Sequence, residues 1–400
     1  MRKINLNDFS VARRSTARDI NRRIALNLVR DRQPISRADL ARGMKTTRGV
    51  VGVLVNELIA EGLIYEGLTG NTLRGRKPVC LYVRTKDRLV VAADIRVTKI
   101  DIMLCDFAGH EIALETIAPV LSPEQFVRDF PKQVRALLKK HKATGECEGV
   151  GVVVPGMVDR DAGRVISAPL LGWRNVDVRD PIAKATGMPV CVESAARACA
   201  LAQMWLGRED APDTHNFTYV SVSDGVGTGV VVRGELVRGH NQIAGEFGHM
   251  PLNLDGPRCA CGANGCWMAY ISNLATVSRY EAMRNRGTDS EPGLTVEDII
   301  ARARSGDAKA LAAIQATARY LGLGLISILH GVDPACVYIG GEITGAWDLI
   351  EPTMHAAIAE RALTDEGVKT LILPSKVAHP RLRGAAALIA APTFAAPHVA

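Results

Sequence analysis

Residues 245–267 read GEFGHMPLNLDGPRCACGANGCW, and no other stretch restricts the chain as strongly. It places one imidazole and three thiols, His249, Cys259, Cys261 and Cys266, within eighteen residues. Those are the donors a tetrahedral structural zinc prefers, and four protein ligands leave no position for a reacting water. The expected role is a staple, not a catalyst. Gly256, Pro257, Gly262 and Gly265 let a short backbone turn sharply enough to bring four side chains to one point. Three cysteines filling a core is the competing reading. A Cys-x-Cys-x4-Cys loop rich in glycine has too little apolar content for it.

Charge divides the chain. Residues 1–90 carry 19 Lys and Arg against 8 Asp and Glu, a balance of +11, whereas the rest carry 30 against 34, a balance of −4. A basic module on a near-neutral body is the electrostatic footprint of a nucleic-acid-binding head joined to a sensing or enzymatic core. At 400 residues two or three domains are expected. The sequence holds no run of about eighteen uncharged apolar residues for a bilayer span, and its first residues lack the apolar core of a signal peptide. Nine cysteines, an odd number with three in one metal-type cluster, suit a reducing compartment. A cytoplasmic protein with no membrane partner is therefore expected.

The basic part has a helical pattern from Ser15, with Ala17, Ile20, Ile24, Ala25, Leu28 and Val29 inward and Pro34 ending it. Ser36 is placed to cap a second helix over 37–42, with Asp39 in the capping-box position. Gly43 closes that helix, and Thr46 or Thr47 caps a third running to about Ala60, with Val50, Leu54, Leu58 and either Val51 or Val55 inward. Two helices on a tight turn form a helix-turn-helix, whose second helix is the candidate reader of the major groove. Lys45, Thr46, Thr47 and Arg48 stand at its start, where free N–H groups can hold phosphate and an arginine can pair with guanine. Two short apolar runs, 63–65 and 79–83, flank a basic tip with Arg74, Arg76 and Lys77, the pattern of a wing. Double-stranded DNA is the expected partner.

The Gly-Glu-Phe-Gly-His run at 245–249, followed after nine residues by Cys-x-Cys-Gly-x-x-Gly-Cys, resembles the signature of the ROK family of sugar kinases and sugar-responsive repressors. The basic head resembles that of ROK repressors over its whole length. The resemblance implies an α/β chain: an N-terminal winged helix-turn-helix over 15–86, then a two-lobed actin-like, ribonuclease H-like body with a zinc loop. Lobe 1 would take 88–195 and a closing helix at about 381–396, and lobe 2 would take 196–380 with the loop at 249–266. It further implies Zn2+ on His249, Cys259, Cys261 and Cys266, and a sugar or sugar derivative held by Glu246 and His249, with Glu193 and Ser194 also at the ligand site. A homodimer or homotetramer follows from the same likeness.

Several positions depart from the kinase pattern of the family. Its phosphate-cradling Asp-x-Gly-Gly-Thr turn reads Asp94-Ile95-Arg96-Val97-Thr98, and side chains at the glycine positions keep a phosphate from the backbone. The general base is replaced by Ala195, which accepts no proton. Leu170 stands for a sugar-binding asparagine and Met268 for a glutamate. No catalytic residue is therefore expected, and the implied function is a DNA-binding regulator, a repressor of carbohydrate genes. The alternatives are a sugar kinase with an appended DNA-binding head and a regulator switched by a protein partner.

Overall fold

The computed structural model describes residues 14–69, 79–141, 145–206, 215–284, 291 and 293–395. Its first unit is built by caps and an apolar seam. Helix α1 (Arg14–Arg32) leads through strand β1 (Ile35–Ser36) to α2 (Arg37–Gly43), whose N-cap Ser36 accepts from the Asp39 amide. Lys45 turns the chain with φ 52, and Thr47 caps α3 (Arg48–Ala60) by accepting from the Val50 amide. Strands β2 (Ile64–Thr69) and β3 (Val79–Val83) form an antiparallel hairpin, and β1 pairs with β3. Arg74, Arg76 and Lys77 lie outside the described residues.

Three inward assignments are corrected. Ala17 is exposed and Ile24 and Val50 are each 44% exposed, while Ala25, Leu26 and Val29 of α1 meet Val51, Val55 and Leu58 of α3 in one core cluster. On both helices two stripes one residue apart are apolar, and only the packing of one helix on the other selects between them.

The body repeats one topology twice. Strands β4 (Arg88–Ile95), β5 (Ile100–Asp106) and β6 (Glu111–Ile117) run antiparallel; α4 (Pro123–Lys140) then leads to β7 (Glu146–Val154). A small antiparallel sheet follows, of β8 (Met157–Asp159), β9 (Arg164–Ala168) and β10 (Trp173–Asp177), then α5 (Arg179–Thr186), β11 (Val190–Ser194) and α6 (Ala195–Leu206). The first large sheet has the order β11-β7-β4-β5-β6, with β7 and β11 parallel to β4.

In the second lobe β12 (Phe217–Val222), β13 (Val226–Val232) and β14 (Glu235–Leu236) are again antiparallel. Four helices follow the Cys/His loop: α7 (Met268–Ile271), α8 (Asn273–Arg284), α9 (Val296–Arg304) and α10 (Ala308–Val332). Then come β15 (Cys336–Gly340), α11 (Trp347–Ala359), α12 (Asp365–Val368), β16 (Leu371–Pro374) and α13 (Pro380–Phe394). The order β14-β13-β12-β15-β16, with β15 and β16 parallel to β12, is strand for strand that of the first lobe. Helix α13 crosses back onto β4 and β7 of the first lobe and lies against α6.

At 25 residues α10 is long and apolar enough to match a bilayer, which the sequence reading did not anticipate. Its apolar residues, among them Ile314, Leu321, Leu325 and Ile328, are instead buried against α11 and α9 in the core of the second lobe.

Candidate metal centre and ligand cleft

The loop after β14 folds back on itself through bridges between Pro251 and Cys266 and between Arg258 and Asn264. Gly265 holds φ +69 there, and a Cβ on it would fall 1.5 Å from the Asn253 carbonyl oxygen. Only glycine fits. The Trp267 indole N–H donates to the Tyr320 carbonyl at 2.8 Å and pins the end of the loop to α10.

Within that frame His249, Cys259, Cys261 and Cys266 converge, with one ligand atom from each inside 4.8 Å of all the others. Cys259 Sγ lies 3.7 Å from His249 Nδ1, and Cys261 Sγ lies 3.7 Å from Cys266 Sγ. A tetrahedron with metal–sulfur bonds of about 2.3 Å has edges of about 3.8 Å, so the donor set fits a tetrahedral dication. Burial, with the thiols of Cys261 and Cys259 beside it, pushes the Cys266 thiol up to about 12. Three thiols this close do not ionise together without a cation among them. Burial also lowers the pKa of His249, favouring the neutral imidazole that a metal requires.

The other side of His249 faces a cavity between the lobes. Glu246, at the start of the 3₁₀ turn Phe247–His249, joins it there, its pKa raised by burial against the opposing pull of Arg197. Gly248 seats this turn, since a Cβ on it would stand 2.3 Å from the Val226 carbonyl oxygen. Ser194 and Ala195 enter from the junction of β11 and α6, Leu170 from the first lobe and Met268 from α7. Leu170 Cδ1 and Met268 Sδ both close on Gly225, within 3.1 and 3.5 Å of where its Cβ would be. The positions at which hydrogen-bonding groups were expected to be missing thus form one apolar wall of the cavity.

Glu193 is placed elsewhere, which corrects its assignment to the ligand site. Its side chain is fully buried, accepts from Arg238 at 3.0 Å and from the Ser194 amide at 3.0 Å, and lies 3.6 Å from Arg197. Arg197 in turn donates to the Gln242 and Ala244 carbonyls at 2.6 and 3.2 Å. Alternation along β11 turns Glu193 away from Ser194, and the resulting network holds the segment leading into Glu246. The Glu193/Arg197 spacing of four on a strand-to-helix junction was a visible signal of pairing.

Beyond the cavity the cleft continues to the turn between β4 and β5. Arg96 of that turn donates to Ser223 Oγ at 2.6 Å and to Glu342 Oε1 at 2.9 Å, and lies 3.6 Å from Asp224. Burial opposes ionisation of Glu342, but Arg96, with Asn273 donating at 2.9 Å, carries its pKa down to about 2. A guanidinium of the first lobe thus spans the cleft to both turns of the second. Arg381, in the first turn of α13, was not singled out from the sequence; it lines both parts of the cleft and lies 3.6 Å from Asp94.

Residues 90–391 match the family model described as ROK, and the chain belongs to the ROK family. The xylose repressor of Bacillus subtilis is 29% identical over 381 residues, covering 92% of this chain and 94% of the repressor. A crystal structure of a ROK family transcriptional regulator, a homologue of the E. coli MLC protein, superposes with a TM-score of 0.81 at 26% identity, over 95% of this chain and 97% of that one. A ROK glucokinase from Streptomyces griseus, solved with glucose and AMPPNP, superposes with a TM-score of 0.66 at 27% identity, covering 98% of the kinase but 75% of this chain. The body therefore has the actin-like sugar-kinase fold of the family. The regulators extend over nearly the whole chain where the kinase does not, and this chain is of the ROK transcriptional-repressor type.

Proposed function

We propose that this protein represses carbohydrate genes as a cytoplasmic homodimer or homotetramer. Its head binds operator DNA, its cleft holds a sugar or sugar derivative, and His249, Cys259, Cys261 and Cys266 hold structural zinc. The carrying observation is the start of α3, where Lys45, Thr47 and Arg48 are exposed and Thr46 is half-buried beyond the tight turn from α2. With the β2–β3 hairpin beside it, this unit reads as a winged helix over 15–86. The body divides into 88–195 with 381–396 and into 196–380. Arg48 is assigned to a base edge and Lys45, Thr46 and Thr47 to the backbone, where the free amides of α3 add attraction for phosphate. Arg74, Arg76 and Lys77 are assigned to the wing on the sequence alone.

Kinase chemistry is left out of this reading for two reasons. Loss of a general base costs roughly 10²–10⁴ in rate, and Ala195 offers none. Arg96, tied to Ser223 and Glu342, fills the turn at which the family's kinases cradle phosphate.

Zinc, when bound, supplies a cross-link that fixes the imidazole plane of His249 and so one wall of the cavity. Glu246 and Ser194 then supply the polar contacts to the ligand. Helix α13 carries the signal. Its first turn places Arg381 in the cleft, and at its other end Arg23 of α1 donates to the Pro392 carbonyl at 2.7 Å while Asn27 donates to the Phe394 carbonyl at 2.8 Å. Fifteen helical residues span about 22 Å, so one rigid element joins ligand to head.

Selection of bound duplexes from random DNA, followed by titration of the winner, tests the reading. One enriched motif with two related half-sites is expected, and Arg48→Ala should relax one position by roughly 1–3 kcal/mol. Failure of any sequence to outcompete scrambled DNA would overturn it.

A further inference from the structure

A second cavity lies not in the cleft but where the head meets the body, with a volume of about 720 Å³. Arg30 and Gln33 from α1 and the following turn form one side; Trp205 at the end of α6, and Arg383 and Phe394 of α13, form the other. Its lining carries Arg30, Lys376 and Arg383 against a single carboxylate, Asp31. The Arg30 Cζ stands over two rings, 4.3 Å from the Trp205 centroid and 4.8 Å from that of Phe394. Arg30 Nε also donates to Asp31 at 3.0 Å, so its charge is paired and the stacking only fixes the guanidinium on the wall.

Two donors here have no acceptor. The Trp205 indole N–H is buried without a hydrogen-bond partner. The guanidinium of Arg383, half-buried, makes no hydrogen bond or ion pair among the described residues. Leaving a buried donor unsatisfied costs about 1–3 kcal/mol, which an arriving acceptor recovers. Ala386, Ala390 and Phe394 make the remaining wall apolar.

We infer that this junction is a second ligand site, which takes a small organic anion: a phosphate or carboxylate group against Arg383 and the Trp205 N–H, and a compact apolar body against α13. Because the head and the body each supply one wall, occupancy fixes their relative orientation. The site is separate from the cleft, where Glu246 and His249 stand. Its effect on DNA rests on the repressor reading above; its binding of an anion does not.

Isothermal titration of the full-length protein with phenyl phosphate, benzoate and inorganic phosphate tests the inference without DNA. One saturable equivalent of phenyl phosphate or of benzoate is expected, and which of the two binds assigns the anion. Arg383→Gln should weaken it about tenfold or more, and Trp205→Phe several-fold, as expected for loss of a charge-assisted and of a neutral hydrogen bond. Trp205→Phe keeps a ring under Arg30, so its loss of affinity reads the N–H and not the packing. Saturable binding of neither organic anion, or equal binding by wild type and both variants, would overturn the site. Inorganic phosphate binding as tightly as phenyl phosphate would overturn it too, because the apolar wall would then contribute nothing.

Discussion

On one side of His249 three thiols stand at the separations of a tetrahedral site; on the other a cavity is closed by Leu170, Ala195 and Met268. The two regions share a side chain and differ in what they tolerate. A tetrahedral four-ligand site that loses one donor holds a cation far more weakly, so every one of the four positions matters. A sugar site missing its polar groups becomes an apolar pocket that still packs, as Leu170 and Met268 do over Gly225. The His/Cys loop is part of the architecture, whereas the chemistry of the cleft can be given up without losing the fold.

The sharpest break of that comparison comes from the loop. Cys259→Ser should release the metal and lower the unfolding midpoint by on the order of 10 °C, with weaker DNA binding although Cys259 lies far from the head in sequence. Metal analysis, calorimetry and DNA titration on one preparation check it; a metal-free variant that melts and binds DNA like wild type would remove the loop from the architecture.

A smaller effect belongs to the Arg96 tie. Glu342 has its folded pKa depressed from 4.5 to about 2, so its contribution to stability is complete above pH 4.5 and is lost as pH falls towards 2. Glu342→Gln should therefore lower the midpoint at pH 7 and flatten its decline between pH 4.5 and 2. Parallel pH curves for variant and wild type would show that the tie contributes nothing.

The cleft itself should respond more weakly. Leu170→Asn returns a hydrogen-bonding group to the apolar wall, and should tighten a hexose or pentose by about three- to tenfold in a thermal-shift series. An unchanged midpoint series would mean that Leu170 does not limit binding. Smallest of all, Ala195→Asp alone should give no sugar-dependent ATP turnover above background, because Arg96 still fills the phosphate turn. Turnover in that single variant would show that the cleft had lost only its base.

The local features were open to reading from residues alone. Ser36 and Thr47 cap their helices because a hydroxyl one step before a helix has free amides within reach. The His/Cys cluster was legible because its ligands lie close in sequence and glycines mark the turns between them. The hairpin of β2 and β3 followed from two short apolar runs on either side of a basic segment. Strand β6 and the small sheet of β8–β10 were missed, because their short segments acquire identity only from neighbours they pair with.

Ligand-type spacing and helix caps were determined by the sequence itself, since each depends on residues within a few positions of one another. Tertiary structure alone turned Val50 outward and set Glu193 between Arg197 and Arg238. It also joined Arg96 to partners 127 and 246 residues away and placed Arg30 on Trp205. The physical reason is the same in each case. A buried charge or an exposed apolar side chain takes its meaning from whatever packs against it, and at these separations only the folded chain specifies what that is.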